Sequence, residues 1–303
     1  MRKTCLLNLT LIYSVLLGFS LASASEMQVN KAQLTDVYRG KAYSPYAGRT
    51  FPEIPLWGDT HLHTSLSFDA SAFGNRLGQR EAYRFARGEE ITATSGQPAR
   101  LARPLDWLAI TDHSDGMGFT NDALAASPLV TNYEQGARWS KGFRAGEQEA
   151  VNATLDMIKT FSQGKMDLEM MANYSPGSRR YGTLWDEVID NADEFNDPGR
   201  FTTFIAFEWT SLVEGNNLHR NVIFRDGPER AGQIVPYTNT PPVGSPNPRD
   251  LWAWLQNYED TVGGDVLAIP HNGNLSNGMM FALQDDFAES GPLDTDYVEQ
   301  HNK

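Results

Sequence analysis

Cysteine is almost missing from this chain: Cys5 is the only one in 303 residues. It lies in an N-terminal apolar segment, so the rest of the chain can form no disulfide and offer no thiolate to a metal. Positive charge is scarce as well. There are 25 Lys and Arg against 38 Asp and Glu, a formal net charge of −13. Removing residues 1–24 takes away Arg2 and Lys3 but no acid, which leaves −15. So acidic a balance argues against a nucleic-acid-binding or anionic-membrane surface. It does not describe a metal site, where bound cations reverse the local field. Long apolar runs are missing too. Only Leu6 to Ala22 approaches the roughly 18 residues that span a bilayer.

That run reads as a secretory signal. Arg2 and Lys3 form a basic start, Leu6 to Ala22 is mostly apolar, and Ala22-Ser23-Ala24 has the A-x-A form of a cleavage site. The expected organisation is a signal peptide at 1–24, a lead-in at 25–55 and one domain at 56–303. The lead-in is polar and punctuated by Pro45, Gly48, Pro52 and Pro55. The mature protein is expected to be periplasmic or secreted, with no stable membrane anchor after cleavage. Apolar residues make up 40% of the chain, enough for a sizeable core.

Five short apolar runs read as strands: Leu56 to His63, Leu105 to Ile110, Phe201 to Phe207, Asn221 to Phe224 and Val266 to Ile269. Helices are expected at Gln79 to Arg87, Glu147 to Phe161, Leu184 to Phe195 and Asp250 to Tyr258, with Asp250 as a cap for the last. Strands alternating with helices predict a largely parallel α/β sheet or barrel. Residues 114–200 are long for one connection and are expected to hold two helices and a loop at Ala172 to Thr183. Four of the five runs carry a polar cluster at or just past their C-terminal end, the end that bears the active site in α/β barrels.

Those clusters contain four of the chain's six histidines, and a fifth, His219, lies just before the run Asn221 to Phe224. His61 and His63 form an H-x-H pair; residues two apart on a strand share a face, as does Asp59. His113 follows an apolar strand in Ile110-Thr111-Asp112-His113, where Asp112 could orient the ring. Glu208 ends the run Phe204-Ile205-Ala206-Phe207, where a carboxylate without a cation would be costly to bury. His219 precedes Arg220, and His271 follows Pro270. Neutral imidazole and carboxylate are the usual protein ligands of zinc, manganese and iron.

The ordered set resembles the PHP family (polymerase and histidinol phosphatase). It runs Asp59-Thr60-His61-Leu62-His63-Thr64, Asp69, Thr111-Asp112-His113, Glu208 with His219 eleven residues on, then Pro270-His271. The contexts Gly58-Asp59-Thr60-His61 and Phe207-Glu208-Trp209-Thr210 resemble a secreted subfamily catalogued as a domain of unknown function. The resemblance covers roughly residues 56–275. It implies a distorted (β/α)7 barrel with two or three divalent metal ions at its C-terminal mouth. By motif position His61, His63 and Glu208 would bind the first, and Glu208, His219 and His271 the second. Asp69 and His113 would bind the third, although many family members have histidine at the Asp69 position. The family's late Asp-x-His pair has no counterpart; after His271 only His301 follows. The expectation is therefore a barrel incomplete at its C-terminal end, in a piece of a longer protein.

These readings point to metal-dependent hydrolysis of a small-molecule substrate, most naturally a phosphate ester, by a metal-activated water. Catalytic roles fall to Glu208 as bridging ligand and to Arg220. Arg220 could contact a substrate phosphate or pair with Glu208 or Glu214. One alternative is an amidohydrolase-type barrel acting on C–N or C–O bonds. It would need a metal-bridging lysine, and none of the mature chain's lysines ends a convincing strand. Another is a non-catalytic metal-binding protein.

Overall fold

Strand β1, Gly58–Leu62, pairs in parallel with β2, Trp107–Ile110, and β2 pairs in parallel with β3, Thr202–Phe204. A computed structural model describes residues 54–282, together with 284–285, 291–292 and 298–299. The expected leader at 1–24, nearly all of the lead-in at 25–55, and His301 lie outside the described residues. The compact unit described here begins at Leu56.

After Ile205 the chain continues as β4, Ala206–Trp209, which pairs antiparallel with β5, Arg220–Phe224. Strand β6, Val266–Pro270, pairs antiparallel with the far side of β5. A parallel bridge between His113 and Glu208 carries the pairing of β2 across to β4. The spatial order is therefore β1, β2, β3 with β4, β5, β6, and only β5 runs against the rest. The fold is mixed α/β with further two-stranded pairs, and no closed barrel forms among the described residues.

Alternation along the strands separates two faces. Leu108, Ile110, Phe207, Trp209, Val222 and Phe224 face the main core. Residues from helices α1, Gln79–Ala86, α4, Arg179–Phe195, and α5, Pro248–Val262, complete it. The opposite face is lined more thinly by Ala109, Ala206 and Ile223. Glu208 alternates onto that second face.

The long connection holds more helix than expected. Helix α2, Glu134–Ala145, is absent from the sequence reading; α3, Glu147–Ser162, and α4 are both present. The expected loop at 172–183 ends early, because α4 begins at Arg179, where Ser178 accepts the Tyr181 N–H at 3.1 Å. Helices α2 and α3 and their shorter neighbours build a second core of Phe119, Val130, Trp139, Phe143, Met157 and Tyr174. The cap of α5 is also corrected. Asn247, not Asp250, caps it by accepting the Arg249 N–H at 3.0 Å. Asp250 instead accepts the Ser245 hydroxyl. No helix among the described residues is long and apolar enough to cross a membrane.

Candidate metal centre

Backbone pairing past the strand ends assembles the polar cluster. Thr111 N–H bonds Leu62 O at 2.8 Å, Ser114 N–H bonds Glu208 O at 2.9 Å, and His271 N–H bonds His219 O at 3.0 Å. Adjacent strands lie roughly 4.8 Å apart, so their terminal side chains meet. His61, His63 and His113 come from the C-terminal ends of β1 and β2, and His271 from that of β6. His219 precedes β5 instead. Because β5 runs antiparallel, its N-terminal end reaches the same edge.

Glu208 sits at the middle and is fully buried. Its Oε1 lies 3.4 Å from His61 Nε2 and 3.6 Å from His219 Nδ1. Its Oε2 lies 3.0 Å from His63 Nε2 and 3.2 Å from His113 Nδ1. Yet neither oxygen has a well-formed hydrogen bond, and the Nε2 atoms of His63 and His219 are likewise buried without a partner. A bare carboxylate in such a place is costly unless a cation compensates it. Two triads could hold a metal ion: His61, Glu208 and His271, and His63, His113 and Glu208. Glu208 is common to both.

The other ring nitrogens are already occupied. His63 Nδ1 meets both Asp69 oxygens, at 3.1 and 3.2 Å. His113 Nδ1 lies 2.7 Å from Thr210 Oγ1, whose own proton goes to the Glu208 carbonyl at 3.1 Å. Thr210 must therefore accept from His113, which leaves His113 Nε2 with its lone pair. His271 Nδ1 lies 3.1 Å from the Asn272 carbonyl, an acceptor only. In metal sites a ligating histidine typically donates its second N–H in this way, which fixes its tautomer and ring direction. The donor set fits a divalent ion.

The charges follow from the same geometry. Burial opposes a charge on His63, but Asp69 and Glu208 on its two sides outweigh it and raise its pKa to about 10. Burial also opposes the Glu208 carboxylate, yet the surrounding imidazoles, His113 foremost, hold its pKa well below the usual range. Asp69 is likewise held low, against burial, by His113 and His63. Burial pushes His219 down to about 4, and Glu208 offsets this only in part. Burial lifts Asp115 to about 7.

Of the residues singled out in the sequence, His61, His63, His113, Glu208, His219 and His271 converge on this one cluster. Asp69 lies beside it, on His63 and 3.4 Å from His113 Nε2, but in neither triad. Asp112 does not orient His113. It accepts the N–H and hydroxyl of Thr64 and the Gln79 side-chain amide, tying the ends of β1 and β2. Arg220 is placed differently from the expected phosphate contact. It stands opposite Trp209 across the β4–β5 pair, on the face away from Glu208. Its guanidinium lies 5.9 Å from the Trp209 ring and 5.7 Å from Trp252, and donates to Leu218 O at 2.7 Å.

Thr210 and Ser67 were not picked out from the sequence, and Phe68 only as one of several aromatics near the motifs, alongside Trp57, Phe207 and Trp209, that could shape an organic pocket. Thr210 shares the face of Glu208, two residues on, which alternation could have revealed. Ser67 donates to Asp69 at 2.6 Å and accepts the His113 N–H at 3.2 Å. Phe68 stacks on the His113 ring at 4.7 Å. Nothing in the sequence pairs either of these last two with His113, which lies 46 residues beyond Ser67, after α1 and β2.

The sheet edge and its cluster define a mixed α/β protein with a carboxylate-centred group of histidines able to hold metal ions. The chain belongs to the family described as "Protein of unknown function (DUF3604)", whose model matches residues 50–303. No curated protein and no solved structure matches the chain.

Proposed function

We propose that this chain is a metal-dependent hydrolase of the PHP type, acting on a phosphate ester, with the sheet edge as part of a distorted barrel mouth. One observation carries the reading. His63, His113 and His271 each have Nδ1 engaged by an acceptor, and they gather around a buried Glu208 whose oxygens lack hydrogen bonds. His61, His271 and Glu208 would hold one ion, and His63, His113 and Glu208 a second; Asp69 stands beside the second set, and His219 lies 3.6 Å from Glu208 Oε1. When bound, divalent zinc, manganese or iron supplies a water acidic enough to yield hydroxide near neutrality, and positive charge for the oxygens of the phosphoryl group.

The chain's own residues set the conditions. Glu208, shared by both triads, fixes their spacing. Asp69 and Thr210 hold the rings of His63 and His113, so little reorganisation accompanies binding. Phe68 covers one face of His113 and keeps water from that side. Arg220 braces the sheet behind the centre and touches no substrate.

The test is metal-reconstituted protein assayed on phosphomonoesters and phosphodiesters, beside Glu208→Gln. The variant keeps the shape but loses the charge common to both triads. Its bound metal should fall to a small fraction of wild type, and any hydrolysis should fall with it by about a hundredfold or more, as when a buried charged group is lost. Unchanged metal content in Glu208→Gln sinks the reading. Tight metal binding with no turnover on either ester class would mark a binding protein instead. The same proposal includes export: N-terminal sequencing of mature protein should begin near Ser25, and intact Met1 on the accumulated protein would refute it.

A further inference from the structure

Beside the metal centre, a cleft of about 550 Å³ opens between the helical block and the loop at 238–242. Organic ligands commonly occupy sites of roughly 300–1,000 Å³. Its inner end narrows to a smaller cavity that shares Asp115, Gly116, Phe161, Met166 and Met171 with it and reaches Phe68. Phe68 is the ring stacked on His113. The smaller cavity, and the cleft only through it, thus reaches to within one aromatic side chain of His113.

Its lining states what it can accept. Phe161, Met166, Leu168, Met171, Pro241 and Pro242 make the walls largely apolar, and methionine adapts to varied shapes. No lysine, arginine or histidine lines it among the described residues; Asp115 is its one charged side chain. Asp115 accepts the Asn239 backbone N–H with both oxygens, at 3.1 and 2.9 Å. The Asn239 side-chain oxygen is buried with no partner. The polar end of the cleft therefore presents acceptors, and one of them is unpaired. Helix α4 starts at the cleft, but Ser178 already caps its N-terminus, so this end is not left open for an anion.

We propose that this cleft binds the organic part of the substrate, selecting an apolar, uncharged group of aromatic size that carries a hydrogen-bond donor, such as a phenol or arylamine. The assignment rests on the hydrolase reading for the word substrate, but not for the binding itself. An ester whose leaving group is a second phosphate or a polyanion would meet Asp115 and no cation, and is excluded from the cleft.

The probe is N-phenylnaphthylamine, a neutral fluorescent arylamine with one N–H, titrated into the full chain. It should bind once per chain with enhanced emission. Ala172→Trp fills the cleft from an exposed position, and Leu168→Glu charges its rim at a side chain already 75% exposed, so that it leaves folding intact. Each should weaken the dye by about tenfold or more, equivalent to about 1.4 kcal/mol. Glu208→Gln should bind it as wild type does. In the assay, 4-hydroxyphenyl phosphate should show a lower KM than methyl phosphate in wild type, and Leu168→Glu should erase that difference. Absence of dye binding, or equal binding in Leu168→Glu, overturns the proposal. Dye binding lost in the cleft variants, with no hydrolysis of any ester, leaves the cleft assigned and removes the hydrolase reading.

Discussion

At the scale of single residues, the centre is a contest between protons and metal for the same nitrogens. Without a cation, His63 lies between Asp69 and Glu208 and keeps its proton to about pH 10, while burial keeps His219 neutral down to about pH 4. The signs are opposite. A raised pKa on His63 gives stability that is fully present below its unfolded value near 6.5 and is lost as pH rises through about 10. A lowered pKa on His219 costs stability as pH falls from about 6.5 towards 4. Metal-free protein, prepared with chelator, should therefore melt highest near pH 6.5. His63→Gln should flatten the alkaline decline and His219→Gln the acid one. Superimposed melting curves for wild type and His63→Gln above pH 6.5 would show that His63 carries no such proton. The identity of the cluster was legible in sequence because histidine is rare here and H-x-H, Asp-His and Pro-His each end a strand. The hydrogen-bond partners of those rings were less so. Thr210 followed from alternation, whereas nothing in the sequence pairs Ser67 or Phe68 with His113.

At the scale of elements, the strands were easier to read than their directions. Short runs of four to eight residues name a strand without giving its sense. Asn221 to Phe224 lacked a polar cluster at its C-terminal end, and the reason is that β5 is reversed, so its N-terminal His219 does the work. Alternation, rather than direction, displaced Arg220 from its expected place. Adjacency to His219 in sequence suggested the metal face, but successive residues of a strand point to opposite faces. Arg220 instead joins β4 to α5 by lying between Trp209 and Trp252. Lysine cannot both hold a cation over the two rings and donate to the Leu218 carbonyl as this guanidinium does. Arg220→Lys should cost about 2 kcal/mol, the scale of a desolvated cation–π contact. Thermal melts should show the loss while metal content per folded chain stays at the wild-type value. Full stability with a raised KM for phosphate esters would return Arg220 to the substrate. Helix α2 escaped notice because Gly136 and Gly142 interrupt its pattern; each lies against a neighbour, Val130 and Ala153 respectively, that a larger residue would strike.

At the scale of the whole molecule, the described chain has two cores with different dependence on the centre. The main core lies under the sheet, and the strand ends that carry the histidines and Glu208 project from it. The helical block has its own core of Phe119, Trp139, Phe143, Met157 and Tyr174, with no candidate ligand among them. An ion shared between β1, β2, β4 and β6 would cross-link strands distant in sequence, and a ligand that binds only the folded form stabilises it by about 2.7 kcal/mol at a hundred times its dissociation constant. That stabilisation should appear only where opening breaks the cross-link. Hydrogen exchange measured with and without chelator separates the cases. Removing metal should speed exchange of the amides of Glu208, Asn221 and His271 by about a hundredfold, while the amides of α2 and α3 exchange at their former rates. Equal acceleration in the helical block would mean that the sheet and the block open as one unit, and that the metal holds the entire described fold rather than the edge where its ligands meet.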